Sequence, residues 1–275
     1  MKKKLLLMCL VGLALVIFGA CSSPPGTAYT KAMELFADGE YEAAAAAFDK
    51  LGDYQQSETY AAYSHGLVLY NAGSYTEAEP YFANCRNFML GESRYQYCHG
   101  CLLESEGNYA DASASFLALG EYEDAPQHYQ YCLGRSLESA KDYENAMYAF
   151  EAAGGYSDAP TRLENLQSQI YDKATLLMSQ GNYEDALYLF TMLGEYFDSS
   201  AQARECKRHF REQKYAEAEA LLAEGDYQGA YEMFKGIGGY SDAEIRAEEL
   251  RTTYGLVDTA EPVEGFPFPE DTAEE

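Results

Sequence analysis

Apolar and small residues recur along this chain in blocks, and the blocks repeat. Their landmark is a glycine, a tyrosine two residues on, an alanine three further and a phenylalanine four beyond that. It occurs as 39-GEYEAAAAAF-48, 73-GSYTEAEPYF-82, 107-GNYADASASF-116, 141-KDYENAMYAF-150, 181-GNYEDALYLF-190 and 225-GDYQGAYEMF-234. Only the fourth block replaces the glycine, with Lys141. The landmark tyrosines stand 34, 34, 34, 40 and 44 residues apart. Within each block the alanine and phenylalanine are four apart, which puts both on one face of a helix. Upstream of each glycine (or Lys141), a Tyr stands ten residues back, a small residue seven back and a Leu four back. Tyr29, Ala32 and Leu35 do so in the first block, and Tyr131, Gly134 and Leu137 in the fourth. A small residue three before a leucine on one helix face lets another helix approach closely. Each block therefore predicts a first helix, a tight turn and a second helix.

A second turn separates the blocks. It reads 119-LGEYEDA-125, 193-LGEYFDS-199 and 237-IGGYSDA-243. The glycine after the last apolar residue suits a left-handed helix end. Asp124, Asp158, Asp198 and Asp242 suit the N-cap of the next helix. Pro126 and Pro160 follow two residues later, in a first helical turn where a missing N–H costs little. The stretch 86-RNFMLGES-93 departs from this pattern, with neither the Tyr nor the Asp. The two long intervals predict longer first helices or a short inserted helix. A period in the thirties means stacked helix pairs, because no single pair buries its apolar face alone.

These residues resemble the tetratricopeptide repeat over roughly residues 28 to 250. The shared features are the small residue on the first helix, the turn glycine and the aromatic, alanine and aromatic that follow. The chain departs from the family in lacking Trp throughout and in using the Tyr-x-Asp turn where the family has proline. The resemblance implies an all-α fold, a right-handed α-solenoid of about six helix-turn-helix repeats over 29–254. It also implies a ligand groove along the first helices. The residues that would line it are Tyr29, Tyr63, Tyr97, Tyr131, Tyr171 and Tyr215. Their neighbours would include Leu67 and Tyr70, Cys101 and Glu104, Arg135 and Glu138, Thr175 and Met178, Glu219 and Leu222. Tyrosines interleaved with carboxylates suit an extended peptide with basic residues. The same tyrosine position also packs neighbouring first helices, so a packing role stands beside the binding one. Tyr41, Tyr109 and Tyr183 read as turn packing.

Charge narrows the partner. The chain carries 45 acidic and 19 basic residues, a net charge of -26. Such a surface repels phosphate backbones, which argues against nucleic acid. The N-terminus has its own character. Lys2, Lys3 and Lys4 precede sixteen uncharged residues, Leu5 to Ala20. That run is short for a bilayer span and reads as a signal peptide over 1–20. Its end, 17-IFGACSS-23, resembles the lipobox of bacterial lipoproteins, with Phe18 where that family usually has Leu. The resemblance implies lipidation, with palmitate, at Cys21, a short linker over 21–28 and an extracytoplasmic protein anchored to the cell membrane. The tail, 255–275, is acidic, contains proline and lacks a helical period, and reads as disordered.

Catalytic motifs are absent: the sequence has no phosphate-binding glycine loop, nucleophile elbow or zinc-protease helix. Five cysteines remain beyond Cys9 and Cys21, an odd number that argues against a complete disulfide framework. The one local cluster is 98-CHGC-101. Cys98 and Cys132 share a repeat position, as do His65 and His99, so periodicity accounts for them. The sequence thus predicts a non-enzymatic scaffold or adaptor without a cofactor, binding a protein or peptide ligand. An envelope-assembly lipoprotein of an outer-membrane machine is an alternative. A metal or redox protein using Cys98, His99 and Cys101 is another.

Overall fold

The structure is a computed structural model, and it describes residues 24–258. The segments 1–23 and 259–275 lie outside the described residues. The signal peptide, Cys21 and most of the acidic tail fall there. Thirteen helices and no strand occur among the described residues. The chain divides after Ala159 into two compact units.

The first unit holds four hairpins. They pair α1 (Pro25–Ala37) with α2 (Tyr41–Asp49), α3 (Ser57–Asn71) with α4 (Tyr75–Ala83), α5 (Gly91–Ser105) with α6 (Tyr109–Leu117), and α7 (Ala125–Ala140) with α8 (Tyr143–Ala153). Each helix packs on its neighbours in sequence. Both landmark residues of every hairpin are buried, from Ala44 and Phe48 to Ala146 and Phe150. The small residue of the first helix is the seat for that phenylalanine. A Cβ added at Gly66 would stand 2.8 Å from the Phe82 ring, one at Gly100 2.8 Å from Phe116, and one at Gly134 2.7 Å from Phe150. The close approach read from the spacing is thus an aromatic ring laid on a bare helix backbone.

The tight turn is a left-handed helix end. Gly39, Gly73 and Gly107 have φ of 81°, 76° and 78°. Lys141 takes the same region at 63°, where a side chain is tolerated at a penalty. The recurrent leucine has a backbone role here. The carbonyls of Leu35, Leu69, Leu103 and Leu137 accept from the N–H of Glu40, Ser74, Asn108 and Asp142 at 2.9–3.0 Å. This bond, from the residue after the turn glycine, closes the helix.

The second turn differs from expectation in two ways. Gly154 has the expected positive φ, but its ψ of -128° lies outside the left-handed helical region. Glycine reaches that conformation readily, and other residues do not. Asp124, Asp198 and Asp242 also do not cap as expected. Asp124 stands at the N-cap position, yet its side chain makes no capping bond. The carboxylate is used elsewhere, as described below. Asp142, in the tight turn, is the real cap and accepts from Asn145 N.

The second unit holds α9 (Ala159–Ser179) with α10 (Tyr183–Leu193), α11 (Ser199–Glu224) with α12 (Tyr227–Gly236), and a closing helix α13 (Ala243–Tyr254). Helices α9 and α11 are 21 and 26 residues long, so the extra residues of the long intervals lengthen first helices. Ala186, Phe190, Ala230 and Phe234 are buried as in the first unit. Packing continues past residue 254. Leu256 joins the last core cluster, and Asp258 accepts 2.6 Å bonds from Tyr231 and Lys235. The first residues of the sequence-read tail therefore belong to the folded end.

Phe116 and Leu117 are adjacent but face opposite ways, the first buried and the second 59% exposed. Phe116→Ala should lower unfolding stability by about 3–5 kcal/mol. Leu117→Ala should stay within about 0.5 kcal/mol of the parent. Chemical denaturation of the two variants checks the assignment of the hairpin core.

Candidate functional site

The six column tyrosines sit on the first helices, and their rings pack inward. Tyr63, Tyr97 and Tyr131 are buried, while Tyr29, Tyr171 and Tyr215 are half-buried. Each meets the landmark phenylalanine of its own hairpin, for example Tyr97 with Phe116 at 5.8 Å and Tyr171 with Phe190 at 5.6 Å. Their hydroxyls reach the next turn. Tyr131 donates to Asp158 at 2.8 Å, Tyr171 to Asp198 at 2.6 Å and Tyr215 to Asp242 at 2.5 Å. Tyr97 donates to Asp124 in the same way. Every pair is 27 residues apart. A carboxylate that looks like a cap is the acceptor of a hydroxyl one repeat earlier.

A basic or polar residue four positions after the aspartate completes the contact. Arg246 donates to Tyr215 at 2.8 Å and to Glu219 at 2.7 Å. His128 Nε2 stands 3.3 Å from the Tyr97 hydroxyl, and its Nδ1 is 2.6 Å from Glu104. Where the turn lacks Asp, Arg94 takes over. It donates to the Tyr63 hydroxyl, which also accepts from Leu90 N at 3.2 Å. Turn tyrosines add a longer link. Tyr156 donates to Glu104 at 2.9 Å across 52 residues, and Tyr70 to Tyr122 at 3.3 Å across the same interval.

Within the first unit these contacts surround a cleft of about 340 Å³. Four tyrosines wall it: Tyr75 and Tyr109 from the second helices, Tyr131 from α7, and Tyr156 from the turn. Cys101, Glu104, Ser105 and His128 complete the lining. Cys101 and Glu104 were expected there. Tyr109 was assigned to turn packing and instead forms a wall. Arg135 lies 4.1 Å over its ring and donates to Tyr131 at 2.8 Å. Burial pushes the Cys101 thiol up, and Glu104, Cys98, Asp124 and Glu123 push it further. Tyr75 is raised by burial first, with Cys101, Asp124 and Glu123 adding to it.

A family model described as tetratricopeptide repeat matches residues 29–84 and 97–160. The chain is a tetratricopeptide repeat protein. No curated protein matches it. The matched stretches fall almost wholly in the first unit, which contains the cleft. The tetratricopeptide repeats support a protein-binding scaffold role.

The cysteine cluster does not gather. Among the described residues, no group of three or more His, Cys, Asp or Glu side chains could hold a metal ion. His99 turns to Glu79 at 3.5 Å and stacks on Tyr95. Cys98 is fully buried, and burial pushes its thiol up to about 12. Metal ligation and nucleophilic attack both use the thiolate, which such a shift disfavours. The alternative built on Cys98, His99 and Cys101 therefore has neither a converging ligand set nor activated sulfur.

In the second unit the tyrosine bond titrates where it can be observed. Asp198 is held below its ordinary 3.8, first by the Tyr171 hydroxyl and then by Gln202. A depressed carboxyl stabilises the fold fully above its ordinary value and loses that contribution as pH falls through the lowered one. Tyr171→Phe should move the Asp198 titration up toward 3.8, read from the side-chain carboxyl carbon shift by NMR. An unmoved midpoint would remove Tyr171 as the cause.

Proposed function

We propose that this repeat protein is a membrane-anchored extracytoplasmic adaptor. A lipid on Cys21 holds the chain at the cell membrane, and the face formed by the first helices captures an extended segment of a partner protein. The observation that carries this reading is the tyrosine-walled cleft on that face, within a fold used for protein binding. Its four tyrosines offer large, rigid contact area at low entropic cost. In the first unit the column from Tyr29 to Tyr131 is the frame of the groove: the rings pack, and the hydroxyls of Tyr97 and Tyr131 with their carboxylates border its surface. No helix among the described residues is long and apolar enough to cross a membrane. No reaction is part of this reading.

The experiment is photo-crosslinking in living cells of the native host. A photoreactive residue replaces Ser105, which lines the cleft and is exposed. A control replaces Tyr148, which is 60% exposed on α8. The expected outcome is one dominant protein adduct from position 105 and no such adduct from 148. Labelling the same cells with an alkynyl fatty acid should tag the protein, and Cys21→Ala should abolish the tag. Adducts from 148 alone would reject the groove. A tag that survives Cys21→Ala would reject the anchor.

A further inference from the structure

The cleft has a chemistry more specific than a general peptide groove. We infer that it is a lysine-recognition subsite, taking the side chain of a lysine on the bound segment. This rests on the adaptor reading above and names what the groove selects.

Three observations carry it. The first is charge. Glu104 is mostly buried, and its oxygens are fixed by His128 Nδ1 at 2.6 Å and by the Tyr156 hydroxyl at 2.9 Å. Asp124 lies 3.7 Å from the other ring nitrogen of His128. With a neutral imidazole these three side chains carry two negative charges and with an imidazolium one, and the charge of Arg135 on the cleft wall is met by Glu138 at 3.8 Å. A mostly buried carboxylate in an aromatic cleft attracts a cation far more strongly than an exposed one. The second is the wall. Aromatic faces bind a cation over the ring and pack its alkyl stem. Arg135 demonstrates this on one side of the cleft, stacked over Tyr109 at 4.1 Å. Tyr75 and Tyr156 line the cleft as well. Beyond burial, carboxylates and thiols raise both phenols: Cys101, Asp124 and Glu123 at Tyr75, and Glu104, Cys101 and Cys132 at Tyr156.

The third observation selects lysine over arginine. A guanidinium binds a carboxylate best through two parallel bonds along one edge. Both Glu104 oxygens are already committed, one to His128 and one to Tyr156. Each keeps acceptor capacity for a single further bond. A compact ammonium needs only such single bonds, and its four-carbon stem suits a tyrosine-lined channel. The resident cation at Arg135 also guards the rim against a second planar group stacking on Tyr109.

The test starts from the full chain and a random peptide library displayed on phage. Selected peptides should share a lysine at one fixed position. Their affinity, measured by fluorescence anisotropy, should fall about tenfold or more when that lysine is acetylated, because acetylation removes the charge. Glu104→Gln should produce a similar loss. Because Glu104 also ties His128 and Tyr156, a second pair of variants leaves that contact alone. Ser105→Lys places an ammonium at the exposed rim and should weaken binding about tenfold, whereas Ser105→Glu should not weaken it. A change in fold alone would not give these opposite responses. Selected peptides with no fixed lysine, or an affinity unmoved by acetylation or by Ser105→Lys, would overturn the lysine subsite and leave the groove standing. A library that yields no binder would overturn the groove reading and this inference together.

Discussion

The structure depends on a hydroxyl that reaches forward by one repeat. A tyrosine on the first helix of a hairpin donates to the aspartate 27 residues later, at the entrance to the next hairpin. Packing alone leaves stacked hairpins free to slide, since apolar contact is non-directional. A directed bond to a charged acceptor sets where one hairpin meets the next. The arginine or histidine four residues further on holds the same hydroxyl from its other side, at Tyr63, Tyr97 and Tyr215. The second hairpin shows how tightly this position is constrained. It lacks the aspartate, and its tyrosine bonds to Leu90 N and Arg94 instead.

The rest of each repeat prepares that contact. The bare backbone at Gly66, Gly100 and Gly134 draws the phenylalanine of the second helix onto the first. The column tyrosine packs against the same ring, which orients its hydroxyl toward the turn. The left-handed turn returns the chain in three residues. The residue before the aspartate position also has positive φ in every repeat, from Gln55 to Ser241. A small residue must follow that position, because the helix starts against the preceding turn. At Gly91 a Cβ would stand 2.1 Å from the Cys85 carbonyl oxygen. The cleft in the first unit is what remains between these constrained parts, so its tyrosines and Glu104 are held by the same bonds that fix the stacking.

Much of this was legible in the sequence, for definite physical reasons. Helical spacing exposed the hairpins, because alanine and phenylalanine four apart define a face. The uninterrupted run of α11, free of Gly and Pro, already favoured one long helix over an inserted one. The misread residues are those whose partners are remote. Asp124 has the identity and place of an N-cap, and nothing local reveals a bond to Tyr97. The basic partners, Arg94, His128 and Arg246, were overlooked although the first two keep the 34-residue period; that period was the available signal. Burial of the column was also hidden. Tyrosine suits both a core and a surface, and only the neighbouring hairpin decides which. Tyr109 shows the reverse, a turn residue whose ring ends on a cleft wall.

The central claim is that the tyrosine–aspartate bond couples adjoining parts of the stack. A double-mutant cycle on Tyr131→Phe and Asp158→Asn measures it directly, with unfolding free energy as the readout. The account predicts a coupling energy of about 1 kcal/mol, toward the low end for a charged acceptor because the carboxylate faces solvent. Additive single effects, with coupling near zero, would contradict it. The bond would then be a consequence of packing and not what fixes it.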